Sequence, residues 1–153
     1  MITNEVQYRA TKAHLAQFDE ASANLEAKAG SGRRSKLAQL AQLEIDAVRS
    51  QADDLRAELE EYERLRSGEV STFEAASLDG LAGLLVRARI ARGWSQRQLA
   101  TALGMAEQQI QRYESTNYRS ASLARICDVA AALGLSITGR GELRDPNAAL
   151  SQS

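Results

Sequence analysis

Residues 94–115 read WSQRQLATALGMAEQQIQRYES, and the spacing of small, apolar and polar residues in this stretch decides the fold. Ser95 offers a side-chain oxygen to cap a helix over 96–103. Gly104 then stops that helix where a left-handed residue costs least. A second helix follows over 107–114. Counted from Gln96, Leu99 and Leu103 fall on the inward face, and Ala100 is small where two helices must cross. Met105 anchors the turn, and Ile110 and Tyr113 turn the second helix inward.

These positions satisfy every constrained site of a helix-turn-helix, and the flanks extend the pattern. Leading in, LVRARIARGWSQRQLA places a basic helix, a Gly, an apolar residue and Ser-Gln in order. Trailing out, SLARICDVAAALGLS closes on Ala-Leu-Gly. Together they resemble the Xre family, the Cro- and CI-repressor type of helix-turn-helix, over about 78–135. The resemblance implies a lambda-repressor-like domain of five helices, the first over 78–92 with Ser77 as its cap.

It also implies an approach to DNA in which the second helix of the pair enters the major groove. Glu107, Gln108, Gln111 and Arg112 form one outward stripe opposite Ile110 and Tyr113. On the family's pattern they read bases, and Gln96 touches a phosphate or a nearby base. Gln108 suits adenine and Arg112 suits guanine, each in a two-bond contact. Glu107 accepts from cytosine or serves the helix dipole; both readings stay open. Arg97, Asn117 and Arg119 are the expected phosphate anchors. Arg89 and Glu114 match an ion pair that looks structural in the family, with Arg89 also reaching phosphate. Ala106 departs from the pattern, since a Ser or Thr is expected to cap the reading helix. ESTNYRSAS (114–122) departs too, lacking the usual Gly and Pro.

The rest of the chain fits this picture unevenly. Of 153 residues, 44% are hydrophobic but only 5% aromatic, and the single proline, Pro146, lies near the end. Such a composition favours an all-α protein. Residues 1–80 hold 10 basic and 15 acidic side chains, whereas 81–153 hold 9 arginines against 5 acids. An acidic half joined to a basic half suggests two tasks, the basic one facing a polyanion such as double-stranded DNA.

The acidic half reads as two long helices, 4–28 and 36–66, in an antiparallel hairpin. GSGRRS (30–35) is the turn and Ser35 a candidate cap. Val6, Ala10, Ala13, Phe18, Ala21 and Leu25 suggest one apolar face on the first helix, with Leu15 nearby. Ala41, Ile45, Val48, Ala52, Leu55, Leu59 and Tyr62 form a heptad seam on the second. That seam can close within the chain, pair two copies as a homodimer, or grip another protein. Residues 67–77 are the expected linker and 78–143 the second domain. Within it LSITGR (135–140) is a candidate short strand, and 144–153 are expected to be a disordered tail.

Chemistry beyond binding has no visible residues. His14 is the only histidine and Cys127 the only cysteine, the latter expected in the core beside Ile126, Val129 and Ala130. No metal site, cofactor or enzyme activity is expected. No apolar run is long enough for a membrane span, and a cytoplasmic location is expected. The favoured function is a DNA-binding transcriptional regulator, a repressor acting as a dimer on a palindromic operator. The alternative is an antitoxin whose hairpin neutralises a toxin while the second domain autoregulates its operon.

Overall fold

The computed structural model describes residues 1–29 and 36–143, and the described residues fold into six α-helices with no strand. The expected turn at 30–35 and tail at 144–153 lie outside them. In chain order the helices are α1 (Glu5–Lys28), α2 (Lys36–Arg66), α3 (Leu78–Ala91), α4 (Gln96–Ala102), α5 (Glu107–Ser115) and α6 (Leu123–Ala132).

Start and stop signals act as local chemistry dictates. Asn4 caps α1 through its side chain, which accepts from the Gln7 N–H at 2.9 Å. Ser77, Ser95 and Ser122 cap α3, α4 and α6 in the same way. Ser95 and Gln98 complete a reciprocal capping box.

α1 and α2 run against each other along their length. Tyr8 stacks on Tyr62 with ring centroids 5.2 Å apart. Arg66 pairs with Glu5 at 2.7 Å, Arg56 with Asp19, and Arg49 with Glu26 at 2.6 Å, marking successive levels of the hairpin. The α2 seam turns inward as its heptads require, with Ile45, Ala52, Leu59 and Tyr62 buried. The α1 face is rotated from the expected one. Tyr8, Thr11, Leu15, Phe18, Ala21, Ser22 and Leu25 are half-buried, so Phe18, Ala21 and Leu25 of the expected face are shielded, whereas Val6, Ala10 and Ala13 face outward. The shielded set repeats every three and four residues and admits Thr and Ser because two helices meet along only a narrow strip.

The hairpin base and the second half share one core. Leu59, Tyr62 and Leu65 of α2 pack in the same cluster as Leu85, Leu99, Ile110, Val129 and Leu133, and Ile2 joins them. Burying these side chains supplies roughly 1.5–3 kcal/mol each before chain entropy is set against it.

Among the described residues four helices, rather than the expected five, build the second half. After Thr116 the chain makes consecutive turns, with Asn117 and Tyr118 both left-handed at φ 49 and 53. A bulky residue tolerates that conformation only when its surroundings hold it. Tyr118 is buried, stacks on Tyr113, and donates its N–H to the Tyr113 carbonyl. Residues 135–140 form no strand, because no second strand lies beside them among the described residues. Cys127 is exposed rather than in the core. On α6 it is Val129 and Ala130 that turn inward, and Cys127 falls on the other side.

Candidate nucleic-acid interface

α4 and α5 meet at Gly104, whose φ of 64 makes the turn between them. Leu99, Ala100 and Ile110 are buried at their contact. α5 therefore shows a fixed face to solvent. Glu107, Gln108, Gln111 and Arg112 are exposed, while Ile110 and Glu114 are buried. Among the described residues the one side-chain contact within the stripe is weak, Gln111 donating to Glu107 at 3.4 Å one turn away. Its amides and guanidinium are thus available to a ligand.

Beneath the stripe lies a buried polar network. Arg89, 2% exposed, donates from Nε to Glu114 Oε1 at 2.6 Å and from Nη2 to Oε2 at 2.8 Å. Nη1 donates to the Trp94 carbonyl at 2.7 Å and Nη2 also to the Thr3 carbonyl at 2.7 Å. Gln96 Nε2 adds a third donor to Glu114, 2.7 Å from Oε2. A carboxylate with this many donors is fully paired, which a buried charge requires. The network links α3, the start of α4, the end of α5 and the residues before α1.

This geometry redistributes the expected contacts. Arg89 and Gln96, expected at a phosphate and at a base, are buried and hydrogen-bonded within the chain. The exposed stripe of α5 consists of Glu107, Gln108, Gln111 and Arg112. Arg97 is exposed at the start of α4 and makes no ion pair among the described residues. Arg119 is exposed, with Asp79 as a loose neighbour at 3.9 Å. Asn117 is exposed just past α5. These three lie where the ends of α4 and α5 meet solvent, and Arg97 and Arg112 supply charge near the stripe.

Ala106 holds an extended N-cap backbone (φ −74, ψ 141) but provides no side-chain cap to α5. Glu107, in the first turn, is the sole acid there and opposes the positive end of the helix dipole.

Sequence reasoning missed the chain start. Thr3 supplies a carbonyl to Arg89, and Met1, Thr3 and Gln7 flank an open groove of about 720 Å³ whose other wall includes Gln111, Ser115 and Asn117. No local signal predicts it, because Thr3 and Arg89 are 86 residues apart.

Residues 85–139 match the helix-turn-helix family model. Over that span, about a third of the chain, the sequence is similar to helix-turn-helix domains. No curated protein and no solved structure matches the chain. The match begins inside α3 and ends after α6, so it takes in α4, α5 and the Arg89–Glu114 pair but leaves the hairpin outside. With the exposed stripe of α5, the helix-turn-helix domain supports a DNA-binding regulator. Among the described residues no group of three His, Cys, Asp or Glu side chains could hold a metal ion, and no helix is long and apolar enough to cross a membrane.

Proposed function

We propose that this chain is a sequence-specific transcriptional regulator, a repressor that binds a palindromic operator as a dimer. One observation carries the reading. α5 holds four exposed polar side chains on one face while a buried, fully paired Arg89–Glu114–Gln96 network fixes its other face. A rigid helix with an amide and guanidinium stripe suits the donor and acceptor edges of the major groove. Gln108 and Arg112 are the discriminating residues, each two-bond contact supplying roughly 1–3 kcal/mol against a wrong base. Arg97, Arg119 and Asn117 take the phosphates, which provide most of the affinity and make it salt-dependent.

Fluorescence anisotropy on DNA from the chain's own promoter, across a salt series and beside Arg112→Ala, tests this. Tight binding with a steep salt slope is expected, with affinity and base preference both reduced in the variant. Equal weak binding to scrambled DNA, unchanged by Arg112→Ala, would overturn it. A small toxin co-purifying with the chain would move the reading to the antitoxin.

A further inference from the structure

We propose that the first three turns of α2, at the far end of the hairpin, form a self-association surface on which two copies of this chain pair antiparallel, tip to tip. This rests on the dimeric-regulator reading above and specifies where the dimer forms.

At the base of the hairpin, α2 turns the face of Glu58, Glu61 and Leu65 toward the rest of the chain. Leu65 is buried, Glu61 pairs with Arg87 at 3.0 Å, and Glu58 takes the Met1 amino group at 3.3 Å. Followed toward the start of α2 in steps of three and four, the same face passes Ala47 and reaches Leu40 and Leu37. There no described residue covers it. Leu37, Leu40 and Leu43 are 79%, 63% and 66% exposed. The inward seam of Ile45, Ala52 and Leu59 is a separate face, already closed by α1. Three bare leucines within seven residues of one helix form a local apolar patch of the kind that marks an interaction site.

The charges on α2 choose both the occupant and its direction. A parallel copy would set Glu44 against Glu44 and Asp54 against Asp54. A full-length antiparallel copy would need Glu58, Glu61 and Leu65, which are engaged within the chain. A short antiparallel overlap centred on Leu40 meets neither obstacle. Residues equally spaced about Leu40 then come to the same height. Leu37 lies beside Leu43 of the second copy, and Lys36 beside Glu44 of the second copy. Neither Lys36 nor Glu44 makes an ion pair among the described residues, and both are exposed. Apolar and charged positions thus complement themselves under a two-fold axis, the requirement for a closed symmetric dimer.

The arrangement sets operator geometry. Leu40 to Arg66 spans 26 residues of unbroken helix, about 39 Å at 1.5 Å each. The two helix-turn-helix domains then lie about 80 Å apart, which is more than two turns of duplex.

Sedimentation velocity on the full chain without DNA, over a micromolar concentration series, tests the proposal. A reversible monomer–dimer equilibrium is expected. Leu40→Glu weakens it by about tenfold or more and leaves far-ultraviolet helicity unchanged, since Leu40 supports no internal contact of the core. Lys36→Glu or Glu44→Lys alone loosens the dimer several-fold, and the double exchange restores it. A monomer at every concentration overturns the proposal, as does a dimer indifferent to Leu40→Glu or a double exchange that fails to restore. Binding of Leu40→Glu to a single half-site is measured alongside. Its retention means that a failed dimer leaves the DNA reading standing, and its loss in a wild-type dimer means the reverse.

Discussion

Arg89 grips both carboxylate oxygens of Glu114, at 2.6 and 2.8 Å, across 25 residues of sequence and with both side chains almost wholly buried. This pair holds α5 against α3. Its removal by halves leaves an unpaired buried charge, so Arg89→Ala and Glu114→Ala are each expected to cost about 3–5 kcal/mol. Replacing both by apolar residues of similar volume should cost far less. Urea denaturation of the two single variants and the double measures the difference.

Arg97 and Arg112 are both exposed arginines of the helix-turn-helix domain, yet their substitution should read out differently. Arg97→Ala is expected to weaken binding equally on all sequences and to flatten the salt slope by about one unit. Arg112→Ala should reduce discrimination at one base position by about 1–3 kcal/mol. Competition titrations with single-base operator variants at two salt concentrations separate the two effects.

Ala106 has the extended backbone of an N-cap and no side-chain oxygen to use there. Ala106→Ser should therefore stabilise the domain by about 0.5–2 kcal/mol, visible as a higher melting temperature. An unchanged melting temperature would mean that Glu107 already satisfies the start of α5.

Tyr118 is buried, and its hydroxyl has no hydrogen-bond partner among the described residues. Burial, reinforced by the nearby Glu114 charge, raises its pKa above the ordinary tyrosine value. The folded state thus disfavours the phenolate. Stability from this site is whole below the unfolded pKa of about 10 and falls as pH rises past it. Tyr118→Phe should be neutral or stabilising by about 1 kcal/mol near neutral pH, with a growing advantage in alkaline melts.

Ile2 is 3% exposed and the Thr3 carbonyl accepts from Arg89. Deleting residues 1–3 removes a core side chain and one acceptor from the buried network. A loss of about 2–4 kcal/mol is expected in chemical denaturation.

Much of this was legible in the sequence, and the parts that were not share a physical cause. Local chemistry is read from neighbours, so the caps Ser77 and Ser95, the Gly104 turn and the α5 stripe follow from residues close in the chain. The pair formed by Arg89 and Glu114 was legible only through the family resemblance. The burial of Gln96 and Arg89 was hidden because Thr3, from the far end of the sequence, completes their surroundings. The outward turn of Val6, Ala10 and Ala13 was hidden for another reason. In an alanine-rich helix several stripes look apolar, and packing against α2 selects the one that carries Tyr8, Leu15 and Phe18. Asn117 and Tyr118 show that a left-handed turn can be held by burial in place of glycine.

Leu59, Tyr62 and Leu65 enter the same core as Leu85, Leu99 and Ile110. Composition divides this chain in the region of 67–77, but energy does not. A protease cut there would leave both fragments with bare apolar surface, and neither would keep its melting point. The chain should melt in a single transition, and force applied to the hairpin would be felt at α5 through the shared core.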